Sequence, residues 1–196
     1  MILLVAYWVV YFSLHSLLAS LWLKKRVSGH WPDFPYRMAY NMLAAMLLVP
    51  GAWLLWGIQW PALWAFSGFW KYAAYLLQFL AIAGFLVSLR YYDMKAFLGL
   101  KSANEENFTI SPFHRHVRHP WYFFALLLIW SQDMNSGKLV TDVMATLYLF
   151  LGSLHEESML LERFGKSYAL YREKVPGLIP LPWKYLSEDE ARTLVK

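Results

Sequence analysis

Tyr72-Ala73-Ala74-Tyr75-Leu76-Leu77-Gln78-Phe79-Leu80-Ala81-Ile82-Ala83-Gly84-Phe85-Leu86-Val87-Ser88-Leu89 carries no charge and is bracketed by Lys71 and Arg90. As a helix it would reach about 27 Å, close to the ~30 Å of a bilayer's hydrocarbon core. Apolar runs near 1–23 and 38–58 are of comparable length. The first of them is not expected to be a cleaved signal peptide, because no basic residue precedes it and Lys24-Lys25-Arg26 follow. Apolar residues make up 59% of the 196 and aromatics 19%, which is not a water-soluble composition. The expected fold is all-α, a polytopic bundle of about five transmembrane helices with a cytoplasmic C-terminal segment.

The net charge of +5 could point to nucleic acid, but its placement argues against that partner. Four Lys/Arg fall between 24 and 37, five between 90 and 118, and seven from 163 onward; Lys71 and Lys138 are the remainder. In a five-span chain, sixteen of the eighteen lie on one face. This is the positive-inside pattern, with the N-terminus outside and the C-terminus in the cytoplasm. The chain has no cysteine, which excludes disulfides, thiolate metal sites and cysteine nucleophiles.

Three parts are expected: spanning helices over 1–93, a polar loop, helical hairpin and C-terminal segment over 94–184, and a polar tail over 185–196. Span one carries His15 among the small residues Ser13, Ser16, Ala19 and Ser20, which let helices approach closely. Span two has Asn41 near its cytoplasmic end, and span three ends at Arg90. The 28–35 segment, with two prolines and a glycine, reads as a turn. The polar 94–117 segment, with Lys101, Glu105, Glu106, His114 and His116, reads as a binding loop. The apolar run Trp121 to Trp130 is too short to span alone. With Leu139 to Leu154 and the polar turn between them, it reads as an αα-hairpin. Leu160, Phe164, Tyr168, Tyr171 and Val175 then form the stripe of an amphipathic helix, bent at Gly165. Pro176, Pro180 and Pro182 keep the segment after it extended.

The polar residues beside this hairpin carry the chemistry. Pro120 suits the first position of a helix, with His119 near its N-cap. Backbone donors there, beside Arg118, would suit a carboxylate or phosphate. Tyr122 lies three residues on, along nearly the same face. Glu156 and Glu157 return to this level if the hairpin runs out and back, and a carboxylate there would satisfy an ammonium. Aromatic faces or carbonyl oxygens would satisfy a sulfonium. S-adenosylmethionine carries a carboxylate, an ammonium and a sulfonium. Residue chemistry permits that ligand without singling it out.

Arg118-His119-Pro120-x-Tyr122, then Glu156-Glu157-x-x-Leu160, Phe164-Gly165, Tyr168, Tyr171, Val175-Pro176 and Ile179-Pro180, resembles the C-terminal signature of the isoprenylcysteine carboxyl methyltransferase superfamily. His15-Ser16-x-x-Ala19-Ser20 and Tyr36-Arg37-x-x-Tyr40-Asn41 resemble its branch of NnrU-like proteins, nurim and methanethiol S-methyltransferase. The chain departs from the family pattern at Pro112, where a glycine is usual. The resemblance implies an integral-membrane methyltransferase using S-adenosylmethionine, with no metal. It implies cofactor-binding roles for His116, His119, Pro120, Tyr122, Glu156, Glu157 and Leu160, and catalytic roles for Arg118 and Glu157. His15, Asn41 and Arg90 become candidates for the substrate site. The acceptor would be a small molecule or a lipid (a thiol, an isoprenylcysteine carboxylate or a lipid amine) arriving from the bilayer, and membrane lipids would be the other partner.

Plainer readings stand beside these. Arg118 and His119 could anchor a span end at the headgroups, and Glu156 and Glu157 could begin a solvated helix. His15, Asn41 and Arg90 could serve helix packing or reach to the interface, and the 160–175 stripe reads first as packing. Competing functions are an NADPH-dependent sterol-reductase-like enzyme, a nurim-like scaffold without activity, and a haem protein using His15 and His155.

Overall fold

The structure, a computed structural model, describes residues 1–31, 35–100 and 108–195. Lys101, Glu105 and Glu106 of the expected binding loop, and 32–34 of the expected turn, lie outside the described residues. In chain order the elements are α1 (Ile2–Ala19), α2 (Leu21–His30), α3 (Tyr36–Trp56), β1 (Ala62–Trp64), α4 (Gly68–Ser88), α5 (Met94–Leu98), α6 (Pro120–Trp130), β2 (Met134–Asn135), α7 (Ser136–Lys174) and α8 (Glu188–Val195). Short 3₁₀ turns occupy Leu89–Tyr91 and Phe113–Arg115. Helices starting at Ile2, Tyr36, Gly68 and Ser136 are long and apolar enough to cross a membrane; α6, with 11 residues, is too short, as its sequence indicates. Trp53, Phe69 and Phe79 are more than half exposed on these helices, as suits lipid contact and not water.

The chain divides into two compact units. The first comprises Met1–Ala65, Asp93–Glu105 and Met134–Met144. Leu4, Trp8 and Tyr11 recur along one face of α1 and bury against Leu54 of α3. Gly51 permits the approach, since a Cβ there would lie 2.6 Å from the Tyr7 ring. Trp8 donates to Thr141 Oγ1 (2.9 Å), so its indole N–H is satisfied within the apolar layer. Arg37 and Asn41 donate to the carbonyls of Ala96 and Phe97, fastening α5 to the start of α3. The antiparallel β1–β2 pair adds a small sheet that an all-helical reading lacks.

The second unit comprises Phe66–Tyr92, Glu106–Asp133 and Ala145–Lys196. Here α6 lies along α4. Phe124 fills the space beside Gly84, where a Cβ would fall 2.4 Å from the ring. Gln78 donates to the Ser131 carbonyl (2.7 Å) and Trp121 to Ser88 Oγ (2.8 Å) at the two ends of this contact. The second core gathers Tyr168, Tyr171, Val175, Leu186 and Ala191, with Phe108, Ile110, Leu160 and Phe164 around it.

Two features of this unit differ from the sequence reading. Helix α7 does not stop near the glutamates: it runs through Glu156 and Glu157 to Lys174, broken only at Gly165 (φ 52°, ψ −122°). No proline or polar turn intervenes, so the apolar hairpin arm and the amphipathic stripe join. The last dozen residues contain α8; its Ala191 and, just before it, Leu186 are buried. A capping box starts it. Glu190 N–H donates to Ser187 Oγ (3.2 Å) and Ser187 N–H to Glu190 Oε2 (2.9 Å).

Candidate active site

Pro120 opens α6 and His119 is its N-cap. The backbone donors of Arg118 and His119, just before the helix, are occupied. Arg118 N–H donates to the Pro176 carbonyl (2.9 Å) and His119 N–H to that of Gly177 (3.1 Å). The extended segment after α7 therefore lies along residues 118–119, and its prolines, unable to form helix, leave those carbonyls available.

The side chains tighten the same junction. Arg118 Nε donates to Glu157 Oε1 (2.9 Å) and Nη2 approaches that oxygen at 2.7 Å. Nη1 donates to the carbonyls of Arg172 and Val175, at the end of α7. Four of the five guanidinium N–H groups are thus engaged. His119 Nε2 lies 3.0 Å from Glu157 Oε1, so this one oxygen accepts from three nitrogens. His119 Nδ1 faces Glu156 Oε2 at 3.3 Å. An ionised carboxylate only accepts, so both ring nitrogens must donate and the imidazole is a cation. Burial alone would lower its proton affinity. The hydrogen bonds to Glu156 and Glu157, with their charges, outweigh that and hold its pKa above the ordinary 6.5.

Burial separates the two glutamates. Glu157 is 5% exposed and His119 6%, whereas the Glu156 side chain is 46% exposed. Two cations and two anions balance, as a buried cluster requires. The outward carboxylate, Glu156, is the one open to a ligand. Tyr122 stacks on His119, with ring centroids 5.3 Å apart and planes within 10°. Gly177 brings the backbone against the cluster, a Cβ there falling 3.3 Å from Arg118 Nη2. Tyr168 is buried, and its hydroxyl has no hydrogen-bond partner among the described residues, although the charges of Glu157 and Arg118 act on it.

The remaining candidates fall elsewhere. His116 is exposed and stacks on Tyr185 (5.8 Å). Leu160 packs against the Tyr168–Tyr171–Val175 core. His15 (bonded to Tyr40 Oη, 2.8 Å) and Asn41 belong to the first unit, and Arg90 to the second. Sequence reasoning passed over Tyr92, whose hydroxyl meets His114 Nε2 at 3.2 Å. It placed Tyr168 in the family signature but read its stripe first as packing. The spacing of Ser111 and His114, three apart at a 3₁₀ turn, was a usable signal for the first of these.

No family model matches the chain, and no solved structure matches it. Named relatives do. Methanethiol S-methyltransferase of Mycobacterium tuberculosis is 31% identical over 185 residues, covering 87% of this chain and 74% of the relative. Methanethiol S-methyltransferase 2 of Bradyrhizobium diazoefficiens is 27% identical over 179 residues, covering 85% and 68%. Methanethiol S-methyltransferase 1 of the same organism is 33% identical over 81 residues, 41% of this chain; the match spans 28% of that relative's length.

Proposed function

We propose that this chain, which belongs to the methanethiol S-methyltransferase branch of the isoprenylcysteine carboxyl methyltransferase superfamily of membrane methyltransferases, moves a methyl group from S-adenosylmethionine to a small thiol. The observation that carries the reading is the divided glutamate pair: Glu157 is consumed by Arg118 and His119, while Glu156 presents a half-exposed carboxylate beside them. The donor set suits the cofactor. A carboxylate answers an α-ammonium, the Tyr122 face suits a sulfonium, and the unpartnered Tyr168 hydroxyl offers a buried polar contact. When bound, the cofactor supplies an electrophilic methyl on a positively charged sulfur.

The chain's own work is positioning. Arg118 and Glu157 hold the 172–177 segment against the start of α6, so they act on the ligand through the shape they impose. His119 orients Glu156. In this reading the core is residues 94–184, and the polar cofactor enters from the cytoplasm. A lipophilic acceptor would enter from the bilayer, and a small thiol can use the same route. Calorimetry of the purified chain with S-adenosylhomocysteine, paired with transfer of labelled methyl to methanethiol, tests the proposal. Binding and transfer are expected; absence of both removes it.

A further inference from the structure

One half-buried polar chain is left unused by that reading. Tyr92, just past α4, places its hydroxyl 3.2 Å from His114 Nε2. His114 Nδ1 lies 2.7 Å from Ser111 Oγ, which also accepts the His114 backbone N–H at 3.4 Å. The parts are held firmly. The Tyr92 ring lies 4.3 Å from that of Trp121, itself tied to Ser88, and Tyr171 donates to the His114 carbonyl (2.8 Å). The glutamate cluster acts on this chain electrostatically. Tyr92 feels the charges of Glu156 and Tyr122, and His114 those of His119 and Glu156.

Burial lowers the His114 pKa to about 4, so the ring is neutral at pH 7, and burial raises that of Tyr92, which keeps its proton. A neutral imidazole has one N–H and one lone pair. With Nδ1–H donating to Ser111 Oγ, the Nε2 lone pair accepts the Tyr92 hydroxyl. The phenol oxygen then has lone pairs left to accept a proton on its other side.

Resting on the methyltransferase reading, we propose that the Tyr92–His114–Ser111 chain takes the proton from the acceptor, and that the site is therefore built for a thiol and not for a carboxylate. As the acceptor sulfur bonds to the methyl carbon, the bond from that carbon to the donor sulfur breaks, and its electron pair stays on the donor. The S–H proton passes to Tyr92 Oη while the phenol's proton passes to His114 Nε2. The imidazolium later returns it to water. A base this weak cannot ionise a resting thiol, even one as acidic as the cysteine side chain with its pKa of about 8.5. It need not, because the S–H proton becomes strongly acidic as the sulfur gains its third bond, so transfer accompanies attack. An ionised carboxylate has no such proton and gains nothing from the relay. Tyr92, Tyr171, His119 and Glu156 are the titratable groups that act on His114.

The test compares the full chain with Tyr92→Phe, His114→Gln and Ser111→Ala. The acceptors are methanethiol, protonated at neutral pH, and an aryl thiol that is largely ionised there. S-adenosylhomocysteine affinity is measured in parallel by calorimetry. The relay predicts affinity within about twofold in every variant. Turnover of methanethiol should fall about a hundredfold in Tyr92→Phe and His114→Gln, with a far smaller fall for the aryl thiol. Ser111→Ala, which removes only the tautomer lock, should show the same selectivity more weakly and serves if a larger change unfolds the chain. Equal losses for both thiols, no loss for either, or weakened S-adenosylhomocysteine binding would overturn the relay. So would a wild-type chain that binds S-adenosylhomocysteine and methylates carboxylates alone, and that result would leave the methyltransferase reading standing.

Discussion

Replacing Glu157 by glutamine separates the roles of two adjacent glutamates. The amide keeps the volume but removes the charge from an oxygen that serves Arg118 Nε, Arg118 Nη2 and His119 Nε2. The side chains concerned are 12%, 7% and 5% exposed, so water cannot replace what is lost. Leaving a buried charge without its partner costs about 3–5 kcal/mol, and the three contacts fail as one unit, so their separate values are not summed. Glu156→Gln removes a carboxylate that is 46% exposed and faces His119, so its cost to stability should be below about 1 kcal/mol. Its effect should appear in binding instead. Loss of one charge-assisted contact to the ligand, about 1.5–3 kcal/mol, is roughly a ten- to hundredfold weaker affinity. Unfolding of the detergent-purified variants, followed by circular dichroism, and calorimetry with S-adenosylhomocysteine would measure the two quantities. Glu157→Gln should lower stability sharply, and Glu156→Gln should lower affinity in a chain that unfolds almost as wild type. Equal stability losses in the two variants, or a Glu157→Gln chain as stable as wild type, would refute the division of labour.

Three further outcomes follow from the same geometry. The His119 pKa is raised by folding, so its stabilising contribution is complete below about pH 6.5 and is lost as pH rises through the folded value; thermal unfolding of the wild type should show a falling midpoint on the alkaline side. Gly165→Ala should cost about 1–3 kcal/mol in equilibrium unfolding, because φ 52° and ψ −122° exclude a side chain although nothing lies within 4 Å of the new methyl. In a chain with no cysteine, Trp64→Cys should react with a membrane-impermeant reagent outside intact cells and Ser187→Cys should not; the reverse would sink the orientation drawn from the basic residues.

The helices were legible because hydropathy is a local property. The uncharged stretch 72–89 forms α4, and the short run 121–130 forms an 11-residue helix as its length dictates. Pro120 announced the start of α6, since a residue without an N–H is free of cost only in a helix's first turn. Local pattern also misled: nothing near Glu156 marks an end, so the continuation of α7 to Lys174 was missed. The Ser187–Glu190 capping box was present in a segment that its charge disguised as a tail.

The sequence by itself determined that an arginine and a histidine sit where the short apolar helix begins and that two adjacent glutamates follow the next apolar run, because that follows from spacing and length. Which glutamate is buried was decided only by the tertiary structure. Successive residues of a helix point about 100° apart, and the packing partner alone chooses which faces inward. The Arg118 guanidinium is spent on carbonyls of residues 172 and 175, more than fifty positions away, and no local pattern records such a contact. The Tyr92–His114 bond likewise joins the end of one helix to a later turn, and it exists because α4, α6 and the second core fix both ends in space.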